Sequence, residues 1–272
     1  RRQRQMCIRD RMSMHLEIRG KLSPRADLLI GLTGIAALVV VWCILTYGGA
    51  VKPLFLPTPT GIWEGLANFQ QRHWLFPAIG RSFWRVTRAL GWVILIGVPI
   101  GVLMGAFAPV DALLRKIVNG AKSIPTTGLI APVVLWFGIE EPGKIVFLFL
   151  GAIFYMVILV KNAVQSVNEE YLRVALDIGA NRWQTIGRVL LPGALPQIWD
   201  AIAVCNGIMW TYIVLAEFIN GSEDQLGLGY LLYIGSRHQE QGEVFGALLL
   251  IGIISSLTDW VLHAVRARFL NW

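Results

Sequence analysis

The chain alternates between long apolar runs and short polar stretches, and the runs are continuous rather than alternating residue by residue. Leu28 to Tyr47 is twenty residues without a charge. As a helix rising about 1.5 Å per residue it covers about 30 Å, the thickness of a bilayer core. Ala89 to Ala108 is a second uncharged run of the same length. Shorter runs follow at Ile124 to Ile139, Ile145 to Val160, Ala201 to Ala216 and Val244 to Thr258. These must extend into their polar flanks to cross a bilayer. In lipid only helices and closed barrels satisfy the backbone, and barrel strands would alternate with a period of two. The pattern predicts an all-α polytopic membrane protein with about six transmembrane helices.

The polar stretches divide the chain. Residues 1–27 read as an N-terminal tail. Within it RRQRQMCIRDR is expected to be a non-native extension, with Met12 or Met14 as the start. It is not a signal peptide, because no apolar core follows it directly. Residues 48–80 read as a loop broken by Gly48, Gly49, Pro53, Pro57 and Pro59. Ile62, Leu66 and Phe69 are spaced for one helix face, which predicts an interfacial helix there. Residues 81–265 form the core of five further spans, and 266–272 a C-terminal tail. Val110 to Ser123, with Arg115, Lys116 and Lys122, reads as a polar loop. Ser222 to Glu243, around GLGYLLY, reads as another. The third span carries Pro125 and Pro132, which fits either an inner helix lining a cavity or a simple kinked span. Gly97, Gly101 and Gly105 make a stripe that lets a neighbouring helix approach closely.

Composition sharpens this picture. The chain is 55% hydrophobic and 15% charged, with a mean hydropathy of +0.59. A soluble domain carries about 25% charge. The net charge of +7 does not call for nucleic acid, because the surplus lies in the tail and loops, where it is an orientation signal. With a cytoplasmic N-terminus the inner side holds 17 Lys and Arg against 7 outside. Without the first eleven residues the counts are 12 and 7. The N-terminus and the 161–193 loop are therefore expected in the cytoplasm. Arg81, Arg85 and Arg88 fall at the outer end of the second span, to snorkel or to attract an anionic solute. Three cysteines and four histidines show no disulfide, zinc or other metal-ligand spacing. No Gly-x-x-x-x-Gly-Lys-Ser/Thr occurs, so this chain cannot itself hydrolyse ATP. No catalytic constellation occurs either, which argues against an enzyme.

One polar stretch carries a recognisable pattern. Glu170 to Pro196 reads EYLRVALDIGANRWQTIGRVLLPGALP, with Ala175, Gly179, Val189, Leu191 and Pro192 at fixed spacing. It resembles the cytoplasmic coupling loop of ABC-importer permeases: Glu-Ala-Ala, three residues, Gly, nine residues, Ile, one residue, Leu-Pro. Arg173 and Val174 stand where that pattern has Glu and Ala, and Val189 stands for Ile. Ala175 and Gly179, four apart, are expected to share one helix face. FLPTPTGIWEGLANF, SFWRVTRALGWVILIGVPIGVLMG and IPTTGLIAPVVLWFGIEEPGKI resemble segments of the permeases that import sulfonates, taurine, nitrate and bicarbonate.

The resemblance implies a type I ABC-importer permease in a bacterial inner membrane. It implies a second permease copy, forming a homodimer, two cytoplasmic ABC ATPase subunits and an extracytoplasmic solute-binding protein. ATP and Mg would be used by the ATPase, and no cofactor would be bound by this chain. Arg173, Ala175, Asp177, Gly179, Ala180, Leu191 and Pro192 would couple the permease to the ATPase. The solute would be a small oxyanion, a sulfonate such as taurine, nitrate or bicarbonate, although similar permeases carry heterocyclic vitamin precursors. Polar groups inside apolar spans make Asn206, Trp210 and Thr211 the pathway candidates, with an interhelical hydrogen bond as the other role for Asn206. Asp200, Glu217 and Asp259 lie near span ends and are expected to be solvated or locally paired. An ion-gradient transporter would need buried ionisable residues in mid-span or inverted repeats, and the sequence displays neither.

Overall fold

The structure, a computed structural model, describes residues 23–218 and 226–270. The N-terminal extension lies outside the described residues. Among the described residues there are helices and turns and no strand. The chain divides into two compact units, residues 1–59 and 60–272.

The first unit holds α1, Pro24–Tyr47. Ser23 caps it by accepting a hydrogen bond from the Ala26 amide at 3.3 Å, and Pro24 opens it, where its missing N–H costs nothing. Leu28, Ile35, Leu38 and Ile44 are all exposed, as a helix solvated by lipid requires. Trp42 donates its indole N–H to the Pro57 carbonyl at 3.1 Å and ties the following turns back onto the helix.

The second unit contains α2 (Pro59–Gln71), α3 (Leu75–Ala106), α4 (Ala108–Lys122), a 3₁₀ turn (Thr126–Leu129), α5 (Ile130–Phe137) and α6 (Glu141–Gln165). After these come α7 (Glu169–Asp177), α8 (Arg182–Thr185), a π turn (Ile186–Leu190), α9 (Leu191–Phe218), α10 (Leu228–Arg237) and α11 (Gln241–Phe269). Ile62 and Phe69 on α2 are buried, as their spacing predicts. Gly65 of α2 meets the Gly242 backbone so closely that any side chain there would clash.

The glycine stripe sets the centre of the bundle. A Cβ on Gly97, Gly101 or Gly105 would lie 2.8, 2.7 or 2.6 Å from Met156, Val160 or Val164. Both sets of positions rise together, so α3 and α6 run parallel. Parallel neighbours force the chain to return between them, and residues 108–139 make that return antiparallel to α6. Asp111 pairs with Lys161, Val118 packs on Val157, and Thr126 faces Gly151.

This return corrects two expectations. Val110 to Ser123 is not a polar loop but α4, an amphipathic helix with Asp111 and Val118 buried. Val110, Leu114 and Val118 form its inner face. The third span is not one sixteen-residue helix either. Its 3₁₀ turn and α5 together cover about 20 Å, too little to cross a bilayer. Pro125 immediately precedes the 3₁₀ turn, and Pro132 falls in the first turn of α5, where proline is tolerated. Five helical stretches among the described residues are long and apolar enough to span: 25–47, 75–106, 141–165, 182–218 and 241–269. The remaining run of the six expected is a shorter apolar helical stretch, Thr126–Phe137.

The remaining helices close the bundle. Helices α6 and α9 run antiparallel, with Cys205 facing Ala152 and Tyr212 facing Gly151. Helices α9 and α11 are also antiparallel. Trp199 donates to the Leu262 carbonyl at 2.7 Å, and Asp200 pairs with Arg266 at 3.1 Å. The expected polar loop at 222–243 contains α10, whose Leu228, Tyr230 and Leu231 are buried in the core. Residues 222–225 of that loop lie outside the described residues. The expected C-terminal tail is helical through Phe269.

Candidate functional site

Helix α6 runs to Gln165 and α9 begins at Leu191, so the polar corner between these two spans is residues 166–190. Its first helix, α7, starts with Asn168, whose side chain accepts from the Glu170 amide at 3.0 Å. Glu169 and Glu170 lie in the first turn, where negative charge suits the helix dipole. Helix α7 ends at Asp177. The Ala180 amide reaches back to the Ala175 carbonyl at 3.0 Å and the Gly179 amide to Leu176 at 2.9 Å. This is a Schellman motif with Gly179 at φ +86°, in the left-handed region that glycine enters without steric cost. Asn181 and Gln184 then form a reciprocal capping box that opens α8, each bond 2.9 Å long. A stop and a start within four residues make a sharp, locally determined corner.

That geometry places the predicted coupling residues. Ala175 is buried on the inner side of α7, while Arg173 is exposed and pairs with Glu169 at 3.2 Å. Asp177 is exposed and closes α7, and Ala180 is half-buried. Ala175 and Gly179 do not share a helix face, because the helix ends between them. Leu191 and Pro192 belong to the first turn of α9 and are exposed. The outer side of the corner is apolar: Tyr171, Val174, Ile178 and Trp183 are all more than half exposed, Ile178 by 80%. Trp183 packs edge-on against Phe107, with ring centroids 5.9 Å apart, which ties the corner to the end of α3.

Beside the corner, Asp111 joins α4 to α6. It accepts from Arg115 one turn on and pairs with Lys161 at 2.7 Å. The Arg115 guanidinium, then the Lys161 ammonium, hold its carboxyl below the usual carboxylate range.

The pathway candidates separate. Asn206 and Trp210 are buried and line one cleft of about 320 Å³, between α3, α9 and α11. Asn206 donates to the Thr258 hydroxyl at 3.0 Å, an interhelical bond. Thr211 is exposed and returns its hydroxyl to the Ile208 carbonyl at 2.7 Å. Phe83, Leu90 and Leu257 complete a largely apolar wall.

Arg85 and Glu217, set separately at span ends by the sequence, meet in a cluster at the opposite ends of α6 and α9. Arg85 on α3 is 1% exposed and donates to Glu217 on α9 at 2.7 Å. Its Nε donates to Glu141 on α6 at 2.9 and 3.0 Å, and Nη2 also contacts that carboxylate. Glu217, also 1% exposed, accepts from Ser82 at 2.8 Å and from the Gly229 amide at 2.8 Å. Ser82 accepts from the Leu228 amide at 2.9 Å. Glu217 is thus paired but not solvated, and Arg85 does not snorkel to water. Asp259 matches its expectation, half exposed beside His263. The available signal was that ionisable groups inside a membrane span face the bundle interior.

Residues 97–271 match the family described as Binding-protein-dependent transport system inner membrane component. The taurine transport system permease protein TauC of Escherichia coli is 30% identical over 265 residues, covering 96% of this chain and 94% of that protein. The aliphatic sulfonates transport permease protein SsuC of Bacillus subtilis, itself named as putative, is 28% identical, covering 87% and 85%. The bicarbonate transport system permease protein CmpB of Synechococcus elongatus is 22% identical, covering 90% and 87%. Among solved structures, an inward-facing MetNI methionine ABC transporter chain superposes with a TM-score of 0.59 at 22% identity, over 70% of this chain and 95% of that one. A chain of a bacterial ABC transporter that imports alginate gives 0.58 at 16%, over 91% and 98%.

Proposed function

The chain belongs to the family of binding-protein-dependent transport system inner membrane components, the permease subunits of ABC importers, and from this premise we propose that it carries a small sulfonate of the taurine type. The observation that carries the coupling assignment is the 166–190 corner: a rigid, apolar, outward-facing turn between two spans. Such a surface suits insertion into a groove on a partner. The partner is a cytoplasmic ABC ATPase, which binds and hydrolyses MgATP. The corner and the N-terminus face the cytoplasm. A second copy of the chain completes the pathway, and an extracytoplasmic binding protein delivers the solute. The solute assignment rests on the relatives named for taurine and aliphatic sulfonates. Asn206 and Trp210 flank the pathway.

Co-expression with a taurine-type ABC ATPase tests the reading. Wild type, Gly179→Asn and Gly179→Glu are purified and assayed for bound ATPase, and for uptake of taurine, an alkanesulfonate, nitrate and bicarbonate. Asparagine tolerates the left-handed backbone that glutamate does not. Wild type and Gly179→Asn are expected to retain the ATPase, and Gly179→Glu to lose it. Uptake that follows an ion gradient without any ATPase would overturn the assignment.

A further inference from the structure

We propose that Arg85 is a positioning residue that closes a frame, locking together the far ends of the two helices whose near ends the coupling corner joins. The proposal rests on the corner being the point where ATP-driven movement enters. Helix α6, 25 residues, and α9, 28 residues, are rods of about 37 and 42 Å. At one end they are linked covalently through residues 166–190, and Ser166 meets Gln197 at 2.6 Å. At the other end nothing covalent joins Glu141 to Glu217. The Arg85 guanidinium does, with Nε directed to one carboxylate and Nη1 to the other.

Stability alone gives no reason for this choice. Buried charges pay a desolvation penalty, and replacing a buried ion pair with well-packed neutral groups is often neutral or stabilising. A guanidinium offers something an apolar contact does not. Its rigid fork fixes the distance and direction between two carboxylates. The fork also reaches the Leu226 carbonyl at 3.3 Å, and Glu217 holds the first turn of α10 through the Gly229 amide. A carboxylate at the start of a helix suits its dipole, and α10 has no side-chain cap of its own. Helices α3, α6, α9 and α10 therefore meet in one network. With the frame closed, a displacement at the corner moves the far ends as one body. With it open, the rods splay and the displacement dissipates before it reaches α10.

The experiment uses the full transporter complex in proteoliposomes, made cysteine-free apart from Ile139→Cys and Ser236→Cys. These exposed sites report the far end of α6 and helix α10. Nitroxide labels on them are measured by pulsed EPR, with labelled permease diluted in unlabelled copies. Taurine moved per ATP hydrolysed is the second readout. The neutral triple variant Arg85→Met/Glu141→Gln/Glu217→Gln removes the guanidinium together with both carboxylates it bridges, and Glu140 remains near the buried Lys144. In wild type the label distance is expected to be narrow with and without ATP. In the triple variant it broadens by several Å, and taurine per ATP falls at least tenfold while the ATPase stays bound. If the triple variant does not assemble, Arg85→Lys decides the matter, because it keeps the charge without the fork. There the distance broadens and the ratio falls severalfold. Wild-type distance widths in the variant that assembles would overturn the frame. A wild-type complex that binds no ATPase would instead overturn the coupling reading.

Discussion

The two ends of the α6–α9 pair are built on opposite principles. The corner at residues 166–190 is exposed and local: its capping bonds join residues two to five apart, and its outer surface is apolar. The far end is buried and long-range. Arg85 and Glu217 are 132 positions apart and both are sealed from solvent. The docking surface proposed for the corner must be offered to a partner, so its shape has to come from the chain's own turns. A lock inside the bundle can draw on any helix, but each charge in it must find a partner. Substitutions at the far end should therefore strike stability and transmission. Substitutions at the corner should strike association and leave the bundle intact.

The largest effect is expected for Arg85→Met alone. It strands Glu217 in the interior, and losing one partner of a buried pair costs about 3–5 kcal/mol. Thermal unfolding in detergent should show a strongly lowered midpoint. The triple neutral variant should recover most of it. Equal destabilisation of the two would mean that packing around Arg85, or the buried Lys144 deprived of Glu141 and Glu217, sets the cost rather than a stranded Glu217.

Midway along the bundle, Gly101→Leu is next. A Cβ there already meets Val160 at 2.7 Å and the Val157 carbonyl at 2.9 Å, so the parallel α3–α6 contact must open. Overpacking of this kind costs about 1–3 kcal/mol. Gly91→Ala on the same helix has open space and is the control, expected to be neutral or slightly stabilising. Matched unfolding midpoints for the two variants would show that the stripe does not set helix spacing.

At the corner, Gly179→Glu forces a left-handed residue, about 1–2 kcal/mol of purely local strain. Nothing lies within 4 Å of the added Cβ, so the bundle itself is not crowded. The unfolding midpoint should fall by less than for Gly101→Leu while ATPase retention is lost. A midpoint that falls as far as for Arg85→Met would erase the contrast between the two ends.

Much of this architecture is legible in the chain, for physical reasons that differ by segment. Uncharged runs announce α1, α3, α6, α9 and α11 because a bilayer demands apolar side chains on every exposed face. At the corner the position between two spans was legible, but Gly179 was expected on a helix face and instead closes α7 in the left-handed region. The α4 return was misread as a loop: its charges lower the hydropathy, although Val110, Leu114 and Val118 at four-residue spacing mark an inward face. Helix α10 was hidden in the same way by polar neighbours. Glu217 could not be paired from sequence at all. Its partners Ser82, Arg85 and Gly229 come together only once three helices have packed.

The smallest expected effect is at Asp111, beside the corner yet bonded to a side chain 50 positions away, Lys161 of α6. Its folded carboxyl is held below the usual range, first by Arg115 and then by Lys161. A carboxyl depressed on folding adds stability that is fully present above its unfolded value, about 3.9. That stability is lost as pH falls through the lower folded value. Asp111→Asn should thus lower the unfolding midpoint modestly at pH 7. The gap to wild type should narrow as pH drops below about 4, because protonation then does to wild type what the substitution did. Unfolding scans of both proteins between pH 3 and 7 check this. A gap that stays constant across that range would mean that Asp111 holds α4 by shape rather than charge, and that the near end shares none of the far end's electrostatic character.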